Sequence, residues 1–242
     1  MTAMPDSEIT GGPRTAENTD IAGTVASSGQ AGQAGPAVAP RRDFTGLSLS
    51  TARLVLREFR DDDIDVITEA CQDELIQRNT TVPSPYTRGE AVKFVREACP
   101  DGRRAGKDVV FGVFVAGGAE EVDVRLAQRG GLVGAVGMHR IGHLGAPCGG
   151  NGELGYWAAS WARGHGYVAE AAAAVCRWGF TDLGLARIEW YALAGNEDSW
   201  AVARRCGFVR EGTLRSWLVH RGVRHDAWAG SLLPGELVGA AV

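Results

Sequence analysis

The sequence of 242 residues lacks several features that would assign it to the membrane, secreted or metal-binding classes of protein. No apolar run approaches the roughly 20 residues that a membrane-spanning helix needs. The opening segment, MTAMPDSEIT, has neither the basic start nor the apolar core of a secretory signal. The five cysteines are odd in number and include no CxxC pair, which argues against a disulfide framework or a zinc site. We therefore expect a soluble, cytoplasmic protein that binds neither a membrane nor a metal.

Aromatic residues are absent from the first 43 positions, and the whole chain has little excess charge. A net charge of -4 argues against a broad nucleic-acid-binding face. The first 43 residues consist largely of Gly, Ala, Ser, Thr, Pro and scattered charge. Such a segment buries too little apolar surface to offset its ordering entropy. We predict a disordered tail over residues 1–44 and one folded domain over residues 45–242.

Hydrophobic periodicity predicts the elements of the folded part. Their order is strand, two helices, three strands, helix, strand, helix and two strands. The first strand is LSTARLVLREF, the next three lie in VVFGVFVAGG, GLVGAVGMHRI and ELGYWAA, and the fifth is ARIEWYALA. One helix begins at RDDDID, and a second runs from Arg88 or Gly89 to about Ala98. The segment AEEVDVRLAQ is a strand extension or a loop, and the last two strands meet at residues 220–222. This order indicates an α+β fold of mixed α/β layers with a mostly antiparallel sheet.

A glycine pair separates the strand ELGYWAA from the alanine-rich helix VAEAAAAV. Gly164 and Gly166 leave backbone N–H groups free to point outward, and the helix that follows adds its positive dipole end, so the segment suits a pyrophosphate. A Walker loop would need a lysine followed by Ser or Thr, and a dinucleotide fingerprint would need a third glycine where Ala169 stands. On these residues alone, a phosphate site and an ordinary strand-to-helix connection are both open.

The surrounding motifs carry a resemblance. ELGYW, ARGHGYVAEA, GNEDSW and CGFVREG, in this order, resemble the GCN5-related N-acetyltransferases (GNAT), specifically their RimJ/RimL-type branch, over roughly Leu47 to Glu236. The family's loop pattern, Gln/Arg-x-x-Gly-x-Gly/Ala, falls on residues 163–168, where Val168 replaces Gly or Ala and bears on the tightness of the turn. The resemblance implies the GNAT fold, a central twisted, mostly antiparallel sheet that is flanked by helices and splayed between its fourth and fifth strands.

The resemblance also implies acetyl-CoA as the cosubstrate. The pyrophosphate would lie on the N–H groups of residues 164–168, pantetheine along the strand Gly155–Ala158, and the thioester in the gap beside Ile188–Leu193. The residues implied in cofactor binding are Tyr156, Trp157, Ala158, Arg163, Gly164, His165, Gly166, Tyr167, Val168, Asn196 and Ser199.

Three side chains are candidates for the chemistry. Ser199, in the Asn-x-x-Ser element of GNEDSW, is the candidate general acid, although Asn196 and Ser199 are also residue types that cap helices. The base is Glu211, which matches a family glutamate in GFVREG, or Glu153, which opens ELGYW and can act through a water. Glu211 is preferred, and a solvent-facing strand-end charge is the alternative for both glutamates.

The acceptor is less well specified. The loop Val82–Tyr86 and the hairpin Trp217–His225 correspond to the walls of the family's acceptor cleft, and Arg215, Arg221, Arg224 and His225 make that hairpin basic. We expect direct transfer, in a ternary complex, from acetyl-CoA to a primary amine of a peptide N-terminus or a small molecule. A non-catalytic acyl-CoA-binding or regulatory domain and a nucleotide-binding protein are the alternatives. A homodimer is compatible with the sequence.

Overall fold

The computed structural model describes residues 42–117, 124–143 and 149–238. Residues 1–41 of the predicted tail lie outside these ranges, so their disorder stays a prediction. Phe44 was also assigned to the tail, but it is only 9% exposed and its N–H donates to the Arg103 carbonyl oxygen at 3.2 Å. The folded part therefore begins before residue 45, because this aromatic side chain packs into the core.

The strands of the described residues form one sheet. They are β1 Leu49–Ser50, β2 Leu54–Arg57, β3 Val109–Val115, β4 Leu132–His143, β5 Asn151–Ala158, β6 Arg187–Leu193, β7 Val209–His220 and β8 Val223–Leu232. The order across the sheet is β1-β2-β3-β4-β5-β6-β8-β7. The β5–β6 pair is parallel and the other pairs are antiparallel, so the predicted mostly antiparallel sheet is confirmed.

The helices flank this sheet. They are α1 Ile64–Cys71, α2 Glu74–Asn79, α3 Arg88–Lys93, α4 Cys99–Ala105, α5 Val124–Ala127, α6 Tyr167–Thr181 and α7 Glu197–Cys206. Within the described ranges, no helix combines the length and apolar character that crossing a bilayer requires.

The structure departs from the predicted elements at four places. The first predicted strand is a hairpin of β1 and β2. The helix predicted after RDDDID is α1, and an additional short helix, α2, follows it, starting where the Asp73 carboxylate accepts the N–H groups of Leu75 and Ile76. The next predicted helix does not end at Ala98. It continues through a π-helical turn, Phe94–Ala98, into α4, and Pro100 near the start of α4 has no N–H for a regular helical hydrogen bond. The segment predicted as a strand extension or a loop contains the short helix α5.

The alanine-rich helix α6 packs on the centre of the sheet. Its buried face includes Ala171, Ala172, Val175 and Cys176, each fully inaccessible to solvent. These small side chains allow α6 to lie close to β4 and β5. The packing fixes the N-terminus of α6 beside the end of β5.

The sheet opens between β5 and β6. Their paired register includes Asn151 with Arg187, Gly152 with Ile188 and Glu153 with Glu189, and it ends there. Beyond Glu153 the two strands separate, while β6 continues to pair with β8 as far as Leu193. The splay expected between the fourth and fifth predicted strands is therefore confirmed at β5 and β6.

Candidate active site

Ser199 lies where β5 and β6 separate and forms hydrogen bonds with a side chain of each strand. The Tyr156 hydroxyl of β5 donates to the Ser199 carbonyl oxygen at 2.7 Å, and the Trp190 indole N–H of β6 donates to the Ser199 Oγ at 3.1 Å. The Ser199 hydroxyl donates in turn to the Tyr156 Oη at 3.2 Å. Burial raises the pKa of Tyr156, so its phenol stays protonated and keeps donating. The serine predicted as the general acid is therefore held at the gap by three hydrogen bonds.

Asn196 caps α7. Its Oδ1 accepts the Ser199 N–H at 3.2 Å, as expected for an asparagine at the first turn of a helix. Asn196 and Ser199 also line the cavities on both sides of the gap. The capping role and a place at the site thus coexist.

Two cavities meet at the gap. A cleft of about 560 Å³ lies over the sheet, and a groove of about 390 Å³ leads to the glycine loop. Tyr156, Trp157, Asn196 and Ser199 line both cavities. A long cofactor can therefore reach from the loop, through the gap, into the cleft.

The floor of the cleft comes from one face of β4 and β5. Because side chains alternate along a strand, every second residue of β4 contributes, whereas residues 153–157 of β5 all line the cleft. The floor residues pair across the two strands as Ala135 with Trp157, Gly137 with Gly155 and His139 with Glu153. His139 received no role from the sequence, in which only its place in a predicted strand is evident.

The glycine loop has the geometry expected of an anion site. Gly164 and Gly166 have φ angles of +84° and +76°, in the left-handed region that favours glycine. Gly166 immediately precedes α6, whose 15 residues provide a full helix dipole. Loop N–H groups and the helix N-terminus together suit a pyrophosphate.

Two arginines that the sequence analysis did not single out lie at this loop. The Arg205 Nη1 lies 3.6 Å from the position that a Cβ on Gly166 would occupy, and Arg205 lines the groove. Arg53 donates from Nη1 to the His165 carbonyl oxygen at 3.3 Å and lies 4.8 Å above the Tyr167 ring. Both arginines are distant in sequence from the loop, so no local motif reveals them.

The other loop residues divide between structural and exposed positions. The Arg163 guanidinium binds Asp73 at 2.7 Å and the Ala158 carbonyl oxygen at 3.2 Å, which ties the loop to α2 and β5. His165 is exposed and stacks on Tyr167 with a centroid separation of 5.5 Å. Val168 is 6% exposed and packs in the core, so its side chain belongs to the helix packing rather than to the turn.

Glu211 is held outside the cleft. On β7 it accepts two hydrogen bonds from Arg187, at 2.9 and 2.5 Å, and one from Ser231 at 2.8 Å. The Arg187 hydrogen bond is the main reason that the pKa of Glu211 falls to about 2. Glu211 does not line the cleft, whereas Glu153 does. Its ion pair and its position outside the cleft lining favour a structural role for Glu211, and its role as the base stays a prediction.

Glu153 has the position that Glu211 lacks. It lies on the cleft floor opposite His139, and its Oε2 accepts from the Arg140 guanidinium at 3.0 Å.

In the described ranges, no group of three or more His, Cys, Asp or Glu side chains is arranged to hold a metal.

The predicted acceptor walls are present, and residues 218–220 are the part of the hairpin that lines the cleft. Val82, Pro83 and Tyr86 line the cleft on one side, and residues 218–220 of the β7–β8 hairpin line it on the other. The four basic residues named for this hairpin do not line the cleft, and those residues are Arg215, Arg221, Arg224 and His225. The basic charge of the hairpin therefore lies outside the lining of this cleft.

Comparison with known proteins identifies the family to which this fold and this cleft belong. A family model described as an acetyltransferase (GNAT) domain matches residues 53–209. The chain belongs to the GNAT acetyltransferase family. This membership confirms the recognised family and the expected enzyme class, an acetyl-CoA-dependent N-acetyltransferase.

Relatives of this GNAT protein carry acetyltransferase names. YdaF of Bacillus subtilis, named as a candidate ribosomal N-acetyltransferase, is 33% identical over 118 residues, or 49% of this chain. The match spans 62% of the length of YdaF. An uncharacterized N-acetyltransferase of Bacillus licheniformis, p20, is 27% identical over 79% of this chain and 99% of its own length.

Solved structures share the fold. A candidate ribosomal-protein-serine acetyltransferase from Vibrio cholerae superposes with a TM-score of 0.64 and 25% identity, covering 78% of this chain and 98% of that one. RimJ of Mycobacterium smegmatis, solved with CoA-disulfide, has a TM-score of 0.63 and 22% identity, covering 77% and 85% of the two chains.

Proposed function

We propose that this GNAT protein transfers the acetyl group of acetyl-CoA to a primary amine by direct attack in a ternary complex. The observation that carries the proposal is the gap between β5 and β6, which joins the glycine-loop groove to the cleft and has Ser199 at its edge. The cofactor enters from the loop and the amine enters from the cleft. Holding both reactants in one continuous cavity supplies much of the rate through proximity.

The residues present fit acetyl-CoA. The N–H groups of residues 164–168 and the N-terminus of α6 receive the pyrophosphate, and Arg205 adds a positive charge beside Gly166. Along Gly155–Ala158, β5 has left its pairing with β6, so its main chain can bind pantetheine as an added strand would. Support comes from RimJ of Mycobacterium smegmatis, whose structure contains CoA-disulfide.

Ser199 acts on the departing sulfur. Its hydroxyl donates to the Tyr156 Oη in this structure and can turn to donate to a thiolate in the gap. The Trp190 N–H donates to the same oxygen at 3.1 Å and stabilises negative charge that develops there. We therefore assign Ser199 as the general acid.

The acceptor is a primary amine on a largely uncharged group. The cleft walls combine the Val82–Tyr86 loop with Leu218 and Val219, and its charged lining includes Glu90, Lys93 and Glu153. Carboxylates in the cleft attract an ammonium group. A protein N-terminus is the preferred acceptor because relatives have ribosomal N-acetyltransferase names, and a small-molecule amine is the second candidate.

A screen of acceptor amines tests the proposal. The protein is incubated with acetyl-CoA and a panel of N-terminal peptides and small amines, and thiol release and the added acetyl mass are both recorded. We expect release that depends on one class of amine. Tight CoA binding without turnover on any amine would instead support a non-catalytic acyl-CoA-binding domain, and preferential binding of NAD or ATP would support a nucleotide-binding protein.

A further inference from the structure

His139 and Asp108 form a hydrogen-bonded pair at the cleft. The His139 Nδ1 lies 3.2 Å from the Asp108 Oδ1, and that oxygen also accepts the Arg140 N–H at 3.2 Å. Asp108 directly precedes β3, whereas His139 lies on β4, so neighbouring strands bring the pair together. The imidazole lines the cleft and is 35% exposed. The pair has the geometry of a carboxylate that orients a histidine.

The backbone beside His139 is distorted. Arg140 has a φ angle of +52°, which is rare for a residue with a side chain, and the β4–β5 register shifts between His139 and His143. Bulges of this kind redirect side chains and are frequent next to active sites. The distortion places the Arg140 N–H on Asp108 and thereby helps to fix the carboxylate.

The pairing determines which ring nitrogen carries the proton. The His139 hydrogen bond is the main reason that the pKa of Asp108 is lowered, so its carboxylate is ionised at neutral pH and can only accept hydrogen bonds. The Nδ1 must therefore carry the hydrogen. In the neutral imidazole, this leaves the Nε2 lone pair available.

The Nε2 lies over two glycines of the cleft floor. A Cβ added to Gly137 would lie 2.6 Å from the Nε2, and one added to Gly155 would lie 3.3 Å from it. The absence of side chains at both positions makes room for the ring. Gly155 is the first residue of the proposed pantetheine strand, so the Nε2 lies next to the end of the path along which the thioester enters.

We propose that the His139 Nε2 removes the proton from the acceptor ammonium, with Asp108 as the positioning residue. This inference rests on the proposed function and names the base for it. The ammonium loses one proton to the Nε2, and the neutral amine attacks the thioester carbonyl. The new C–N bond forms as the C–S bond breaks, and the thiolate takes the proton of the Ser199 hydroxyl. The Ser199 oxygen then takes the second proton from the former amine nitrogen, which leaves the neutral amide, and the imidazolium releases its proton to solvent.

The charges around His139 suit this role. The titratable or charged groups that contact the pair or line the same cleft come from α1 and α3, from the residue before β3, from β4, β5, β6 and β7, and from the loop before α3. They are Cys71, Tyr86, Glu90, Lys93, Asp108, Arg140, Glu153, Tyr156, Tyr191 and His220. Glu153 is directly opposite His139 and is ion-paired with Arg140. We assign Glu153 to attracting the ammonium group, because its carboxylate lines the cleft opposite His139.

The test compares pH–rate profiles of wild type, H139Q, H139A, D108N and E153Q with the best amine from the screen. H139Q keeps a donor for Asp108 but loses proton acceptance near neutral pH. We expect H139Q to lower kcat/KM by roughly 10²- to 10⁴-fold and to remove the acid limb of the profile, with unchanged CoA affinity. Added imidazole should partly restore H139A. E69Q, at an exposed residue outside the cleft lining, is the control and should behave as wild type.

Two further results separate the possibilities. D108N should lower kcat/KM by itself but add nothing in the H139A background, because the two side chains act as one unit. CoA binding and thermal unfolding show that each variant is folded. An H139Q protein that keeps the acid limb, or an E153Q protein that alone loses it, overturns the assignment to His139. A wild type that acetylates no amine refutes the proposed function itself.

Discussion

The ion pair between Arg187 and Glu211 leads to a prediction that separates stability from catalysis. E211Q keeps the shape of the side chain but removes its charge, and its amide NH₂ cannot accept the short 2.5 Å hydrogen bond from Arg187. Ser231, which is only 4% exposed, can still donate to the remaining oxygen. The Glu211 side chain is 44% exposed, so solvent screens the pair, and we expect a loss of about 1 kcal/mol in the free energy of unfolding.

The pH dependence of this contribution has a definite sign. The pKa of Glu211 is about 2 in the folded protein and about 4.5 without its partners. A carboxyl whose pKa is lowered by folding stabilises the protein above its unfolded pKa, and the contribution is lost as the pH falls through the folded pKa. The stability difference between wild type and E211Q should therefore be full at neutral pH and should shrink between about pH 4.5 and pH 2.

Urea denaturation and acetyl transfer, measured on the same preparations, provide the assay. E69Q is the matched control, because Glu69 is 50% exposed, accepts from Arg129 at 2.7 Å and does not line the cleft. We expect both variants to keep wild-type kcat. If E211Q were folded and stable but lost more than about tenfold in kcat together with one limb of the pH profile, Glu211 would be the base and the reasoning from its position would fail.

Three other predictions concern the cofactor path and the core. R205Q should weaken CoA binding by about fivefold at low salt because a charge beside Gly166 is lost, and isothermal titration should show no such change for R204Q, its exposed neighbour on α7. S199A should lower kcat by roughly 10²-fold in a steady-state assay, and an unchanged kcat would mean that Ser199 takes no part in the chemistry. The same variant should lower the free energy of unfolding in urea by about 1–3 kcal/mol, because the indole N–H of Trp190, a residue only 1% exposed, loses its acceptor. V168A should cost about 1–3 kcal/mol of stability without tightening CoA binding, whereas tighter binding at full stability would mean that Val168 acts on the turn.

The motif-bearing segments were predictable because their signals are local. Gly164 and Gly166 follow a strand and precede a helix, and the structure gives both a left-handed backbone. Asn196 stands at the start of α7, where its type favours a cap, and it caps the helix. The splay of the sheet was expected from the family resemblance carried by these same segments, and the pairing between β5 and β6 ends as that resemblance implies.

Positions that depend on long-range packing were not predictable in this way. Asp108 and His139 are 31 residues apart, and only the pairing of β3 with β4 brings them together at the cleft. Arg205 reaches the glycine loop because α7 lies beside α6. Glu211 matched a family motif, yet hydrogen bonds from Arg187 on β6 and Ser231 on β8 hold it outside the cleft lining.

The sequence by itself therefore determined the family, the glycine loop and the main strands and helices, because short-range patterns specify turns, caps and strand or helix periodicity. The tertiary structure decided which charged side chains share a cavity and which are neutralised elsewhere. That choice depends on strand register and on alternation across the sheet, where a shift of one residue moves a side chain to the opposite face. A local motif was therefore enough to suggest Glu211 as the base, whereas the proposal of His139 required the strand pairing that places it beside Asp108.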